Sequence, residues 1–389
     1  MKKSLLAVAA MTAFAGAAQA QSSVTVYGIL DVGYVGKNVK DSPATAAGTN
    51  TSNSFSQSAE TSSRLGFKGV EDLGGGLSAF FTVETGLTPN SSNFSGVNNR
   101  QSFVGLKKNG LGQAAIGTQY TVMHSAVSAT DPGQSNNVLG SVIYPAGGNT
   151  GGQASADAAY TIRMSNTLTA KTDNFAGFTA SAMYSLNNKN SAQTAATTGG
   201  TLNTSGWGVG LDYTWKKLYA VAAYQSLKSE SDATTLQGIA TTATYTYSTT
   251  AGVSVVPAFT GTNATDNQTY VGATYDFGIL KAYAGWVNRK VTGNLNSNEY
   301  LNRNAQQLGV RSFITPKVEA WASLGNGRYR AFGADQPTAN FTGYQLGSNY
   351  YLSKRTNLYG IFGSSQTSSV STTGAASGNS YAVGVRHTF

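Results

Sequence analysis

The 389-residue chain has no cysteine, only two histidines and seven prolines, and just 11% of it is charged. Without cysteine it has neither disulfide staples nor thiolate metal sites, so backbone hydrogen bonds and packing must hold it together. His124 and His387 do not form the paired spacing of a metal site, and neither comes with the nucleophile, base and orienting group that hydrolysis needs. No catalytic residue, no metal and no cofactor is expected. No run of Lys and Arg stands out, which argues against nucleic acid. Beyond the N-terminus no apolar run reaches membrane-helix length, and the mean hydropathy is −0.19. Hydropathy alone thus suggests a soluble chain, yet a charged fraction below half of the usual quarter would leave a soluble exported protein poorly solvated.

The N-terminus supplies the compartment. Met1-Lys2-Lys3 is a short basic region, Leu5 to Ala18 is apolar but shorter than a bilayer span, and Ala18-Gln19-Ala20 has the small-x-small pattern of a cleavage site. Residues 1–20 are therefore expected to be a signal peptide removed near Ala20, and 21–389 a single exported domain. Loss of Lys2 and Lys3 takes the formal charge from +9 to 24 − 17 = +7, a surplus that concentrates anions where it lines a confined space.

Most of the rest alternates with a period of two. Trp207, Val209, Leu211, Tyr213 and Trp215 share one face against Gly208, Gly210, Asp212 and Thr214, with tryptophan at both ends as in a strand crossing lipid between aromatic girdles. Val24 to Tyr34, Arg64 to Lys68, Leu77 to Glu84 and twelve later segments follow the same rule, giving 16 strands. Connections alternate between tight turns, such as Gly278-Ile279 and Thr315-Pro316-Lys317, and long segments, such as Asn38–Glu60, Thr121–Ala158 and Ser229–Asn267. The pattern predicts an all-β, 16-stranded antiparallel transmembrane β-barrel with short periplasmic turns and long extracellular loops. Its last strand, Ser380–Phe389, must pair with its first to leave no edge in lipid, so Phe389 is expected at the closure.

The segments S-V-T-V-Y-G-I-L-D-V-G-Y, S-S-R-L-G-F-K-G-V-E-D-L-G-G-G-L-S-A-F-F-T-V-E-T-G, N-R-Q-S-F-V-G-L-K, Y-Y-L-S-K-R-T-N-L-Y-G and the terminal V-G-V-R-H-T-F resemble the trimeric general porins of betaproteobacteria. The similarity runs along the whole mature chain and is weak in the long loops. It implies a homotrimer, passive diffusion of small hydrophilic solutes, an inward-folded third loop, and recognition of Phe389 by the barrel-insertion machinery. Outer-membrane lipid and lipopolysaccharide would surround such a barrel.

Arg64, Lys68, Arg163, Arg311 and Arg386 lie opposite apolar neighbours, and a charge facing mid-depth lipid would cost about 2–4 kcal/mol, so all five are expected to face water. The resemblance implies a pore constriction in which an arginine cluster faces the third loop, and Arg64, Arg100 and Arg163 are the matching positions. Arg100 shares the parity of Val104 and Leu106, so only a bulge or an early strand end turns it inward. Asp131 and Asp157 are the only acids of Thr121–Ala158 and are expected opposite the arginines, while Lys68, Glu84, Asp31, Arg311 and Arg386 are expected to line the pore. With so few acids in the loop, the constriction should prefer anions moderately. Two rival functions use the same fold: a substrate-specific channel for a carboxylate or phosphate, and an adhesive or structural barrel acting through the Thr-rich stretch Thr241–Thr265.

Overall fold

A computed structural model describes residues 23–41, 48–92, 99–144, 162–195, 198–231, 244–247, 255–258, 264–294, 297–298, 300–331, 338–368 and 375–389. The leader at 1–20 and Asp157 fall outside these residues. The chain runs through β1 (Ser23–Asp41), β2 (Gly48–Gln57), β3 (Arg64–Gly74), β4 (Leu77–Gly86), β5 (Asn99–Lys108) and β6 (Gly112–Tyr120) to a short helix, α1 (Val122–Ala129). It continues through β7 (Arg163–Thr172), β8 (Phe178–Ala195), β9 (Thr198–Trp215) and β10 (Leu218–Ser231), then a small separate hairpin, β11 (Thr244–Tyr247) and β12 (Val255–Ala258). The last seven strands are β13 (Ala264–Asp276), β14 (Lys281–Gly293), β15 (Tyr300–Thr315), β16 (Val318–Ala331), β17 (Ala339–Tyr351), β18 (Thr356–Thr367) and β19 (Ala376–Thr388).

Every neighbouring pair is antiparallel, and β1 pairs with β19, so the sheet closes on itself. The upper half of β1 pairs with β2 and its lower half with β3. Those two strands are one stave broken at residues 58–63, which makes 17 strands a barrel of 16 staves. The break is stitched by Asp31: its Oδ2 accepts from the Glu60 and Thr61 N–H groups at 2.9 and 2.6 Å, and its Oδ1 accepts from the Tyr359 hydroxyl at 2.6 Å. Asp31 is fully buried in these bonds, contrary to the expectation that it lines the pore, because the interrupted ladder leaves N–H groups that need an acceptor.

Several long connections are shorter than the alternation suggests. Gly48–Gln57 and the stretch from Asn187 to Ala195, both expected in loops, are strands. Beyond the membrane both faces of a strand are polar, so pairing continues where alternation stops.

The outward face is apolar: Trp207, Val209, Leu211 and Trp215 are each about half exposed, whereas Gly208 lies inside against Val122 of α1. Among the described residues no helix is long and apolar enough to cross a membrane, and the strands do the crossing.

At the seam, the Gly28 N–H donates to the Phe389 carbonyl at 3.0 Å and the Phe389 N–H donates to the Gly28 carbonyl at 3.1 Å. The Phe389 ring occupies the space a side chain at Gly28 would need. Phe389→Ala keeps both ladder bonds and loses the ring, so it should lower barrel stability by about 1 kcal/mol, read as an earlier heat transition in detergent. An unchanged transition would show that the ring does not hold the seam. His387, at the same rim, shares a 2.9 Å hydrogen bond with Thr356 and is exposed, as its outward parity implies.

Candidate functional site: arginine wall and third loop

The third loop begins where β6 ends. Thr121 caps α1, its hydroxyl accepting from the His124 N–H at 3.1 Å. The helix packs on β8, β9, β10 and β13, and the chain then follows the inner wall as far as β19. Wall glutamines anchor it. The Gln307 Oε1 accepts from Val142 N and Ser141 Oγ at 2.8 and 3.1 Å, and Gln345 Nε2 donates to the Val138 and Leu139 carbonyls at 2.6 and 2.9 Å. Arg311 Nη1 donates to the Pro132 carbonyl at 2.6 Å, and Arg303 Nη2 to the Val142 carbonyl at 2.6 Å. Close approach needs glycine in the wall: a Cβ on Gly363, Gly343 or Gly325 would collide with Leu139, Gly140 or Val142 respectively.

The loop pads the wall from β8 to β19 and Asn137 bonds across to Ser58, Ala59 and Ser62, while the arginines stand on β3, β5 and β7. Arg100 does point inward. Thr85 pairs with Asn99 and Glu84 with Gln101, so Arg100 is the extra residue of a β-bulge, and the bulge reverses the parity of its side chain. Its Nε donates to Glu84 Oε1 at 2.6 Å and its Nη2 to the Tyr120 hydroxyl at 2.8 Å. Arg64 Nη1 lies 3.8 Å from Glu84 Oε2, which also accepts from the Tyr27 hydroxyl at 3.1 Å. The Arg163 guanidinium sits 5.5 Å from the centre of the Tyr120 ring, whose other neighbour is the His124 ring, stacked at 3.9 Å. Arg64 and Arg100 share one carboxylate, Glu84, and Arg163 stands over the neighbouring Tyr120 ring, so the cluster carries a local charge of 3 − 1 = +2. Among the described residues the buried Arg163 Nη1 has no hydrogen-bond partner.

Two expectations about this region are corrected. The apolar neighbours opposite Arg163, Ile162 and Met164, do not face lipid but are buried inside against Val122, Met183 and Leu227. A register shift between Gly117 and Gln119, together with Asn166 at φ 53°, turns the start of β7. Asp131 does not face the arginines: it is 2% exposed, and its carboxylate accepts from the Ser135 N–H at 2.8 Å and from Gln307 Nε2 at 3.1 Å. Burial pushes its carboxyl above the ordinary aspartate range, against those hydrogen bonds. Its role here is to tie the loop to β15.

The remaining expected lining residues face inward, but most are neutralised. Arg311 makes two hydrogen bonds to Glu319 at 2.6 and 2.8 Å. Arg386 lies 3.5 Å from Glu60 and donates to Asn357 at 3.0 Å. Lys68 is exposed, its ammonium 5.5 Å from the Tyr27 ring. A further pair, Arg289 with Asp266 at 2.8 Å, is also closed. Of the expected lining residues among the described ones, those of the arginine wall and Lys68 keep a net positive charge. Tyr27, Tyr120, His124, Gln307 and Gln345 were not among the expected site residues. Tyr27 alone carried a signal, since it shares the inward parity of Asp31.

The chain matches the model of the Gram-negative porin family over residues 7–369. It is 29% identical to outer membrane porin protein 32 of Delftia acidovorans, over 99% of this chain and 95% of that protein. It is 27% identical to an outer membrane porin protein of Bordetella pertussis, over 100% of both chains. Among solved structures, an anion-selective porin from Comamonas acidovorans superposes with a TM-score of 0.71 at 23% identity, covering 95% of this chain and 100% of the other. With a closed barrel, an inward loop and a family match along nearly its whole length, the chain belongs to the Gram-negative porin family and is an outer-membrane diffusion channel for small hydrophilic solutes.

Proposed function

We propose that this porin passes small solutes with a moderate preference for anions, and that Arg64, Arg100 and Arg163 form its constriction. The observation that carries the reading is the local +2 of Arg64, Arg100 and Arg163 with the single carboxylate Glu84. An anion passing this wall gains attraction that a cation does not. Lys68 lengthens the positive path. Asp157 is the loop acid that would moderate the preference.

The test is the reversal potential of purified protein in a planar bilayer under a salt gradient. Arg64→Gln should move it towards cations by roughly twofold in permeability ratio, from one unit charge lost at about 8 Å in screened water. No shift would remove Arg64 from the constriction. The resemblance adds three further expectations: a homotrimer whose currents close in threes, removal of the leader near Ala20, and recognition of Phe389 during barrel insertion.

A further inference from the structure

Below the arginine wall the lumen changes character. On the way to the periplasmic rim β4 turns Glu84, Thr82, Phe80 and Ser78 inward, and β5 sets Gln101, Phe103, Gly105 and Lys107 beside them. The Phe80 and Phe103 rings meet edge to face with their centroids 6.2 Å apart. Val70 of β3 pairs with Phe80 and is 51% exposed, and the inward Ala115 of β6 pairs with Gly105. Phe80 has a structural task, since its ring occupies the space a side chain at Gly105 would need. That task does not extend to Phe103 or to Val70, so a contiguous apolar island faces water inside the barrel. Cations flank it. Lys68 pairs with Thr82 and Lys107 with Ser78, so each is a diagonal neighbour of Phe80, about 7–8 Å away between Cα atoms. Gln113 pairs with Lys107 on one side and Lys171 on the other, which puts a third lysine about 10 Å along the same row. Among the described residues none of the three lysines is in an ion pair. Asp72, at the foot of β3, accepts from the Gly74 N–H of its own turn at 2.9 Å.

We propose that the periplasmic half of the lumen, on β3 to β7, holds a subsite for aromatic carboxylates, with the ring of the solute against Phe80 and Phe103 and its carboxylate on Lys68 or Lys107. An apolar surface with a few polar groups at its edge is the usual make-up of a small-molecule site. Both parts are needed for selection. A solvated ion pair is weak, and a small inorganic anion makes nothing else here. A neutral ring gains the contact with Phe80 and Phe103 but leaves the lysines to water. A solute that carries a flat ring and a carboxylate gains both at once, because a cation lies on each diagonal of Phe80. The subsite deepens the anion reading of the same pore and rests on it for the entry of the carboxylate. It adds what charge alone lacks, a choice among anions.

Planar-bilayer recordings of the whole protein in potassium chloride test this, with benzoate, gluconate and benzyl alcohol as probes. Benzoate and gluconate are monoanions of similar size, one with a ring and one hydroxylated, and benzyl alcohol is the ring without the charge. Benzoate should halve the current at a concentration roughly fivefold below that of gluconate, the worth of one ring contact. Benzyl alcohol at that concentration should leave the current unchanged. Phe103→Thr with Phe80→Leu, which keeps an apolar cover on Gly105, should bring benzoate to the level of gluconate, whereas Lys68→Gln with Lys107→Gln should weaken the two anions alike. Equal block by benzoate and gluconate in the wild type would overturn the proposal without any variant. So would block by benzyl alcohol as strong as that by benzoate, or a double phenylalanine variant that keeps the preference. The reversal potential in potassium chloride reads the arginine wall instead, so a pore that proves indifferent to the sign of small ions yet still prefers benzoate would sink the constriction and leave the subsite standing.

Discussion

With Gln307 and Gln345 both replaced by leucine, single-channel currents should flicker and their mean conductance should fall. Gln307 satisfies Ser141, Val142 and Asp131, and Gln345 satisfies Asn136, Val138 and Leu139, all buried. Leucine fills similar space but strips the Val142 N–H and the Val138 and Leu139 carbonyls of these bonds, each at about 1–3 kcal/mol, for a total of at least about 3 kcal/mol. The loop's cheapest response is to leave the wall and recover its hydrogen bonds from water in the lumen, where it obstructs flow. The strand ladder has no part in these contacts, so the barrel should still assemble and shift normally on heating. Steady, wild-type currents would mean that the apolar contacts of Met123, Val127, Val142 and Ile143, with the Arg303 and Arg311 bonds, hold the loop without the two glutamines.

The same contacts explain what the sequence leaves illegible. Barrel, strand number and the inward turn of Arg64, Arg311 and Arg386 follow from local alternation, because lipid enforces a period of two on every crossing. The loop's path follows from pairs such as Asp131 with Gln307, 176 residues apart, and no periodicity records them. Arg100 shows the limit within a strand: its parity points outward, and one extra residue in β5 reverses it. Asp31 and Arg386 have the right parity for a pore lining, yet the broken stave between β2 and β3 uses one as an acceptor and the other as a tie to Glu60. Parity assigns a face, whereas a side chain's task depends on which unpaired groups share that face.

Arg100 also offers a sharp test of whether selectivity depends on the charge of the wall or on a particular contact. Arg100→Glu alone takes the cluster from 3 − 1 = +2 to 2 − 2 = 0 and sets a second carboxylate against Glu84. Two unit charges at about 8 Å from a passing ion are worth about 1 kcal/mol in water, in opposite senses for anion and cation. After screening at about 0.1 M salt, the permeability ratio should shift towards cations by roughly fivefold. Adding Glu84→Arg restores both the +2 and an opposite-charge pair with the positions exchanged. If the net charge of the wall sets the preference, this double variant recovers the wild-type reversal potential although neither original side chain remains. If it stays as unselective as Arg100→Glu alone, the bulge-directed guanidinium and its bond to Tyr120 set the preference, and the +2 is incidental.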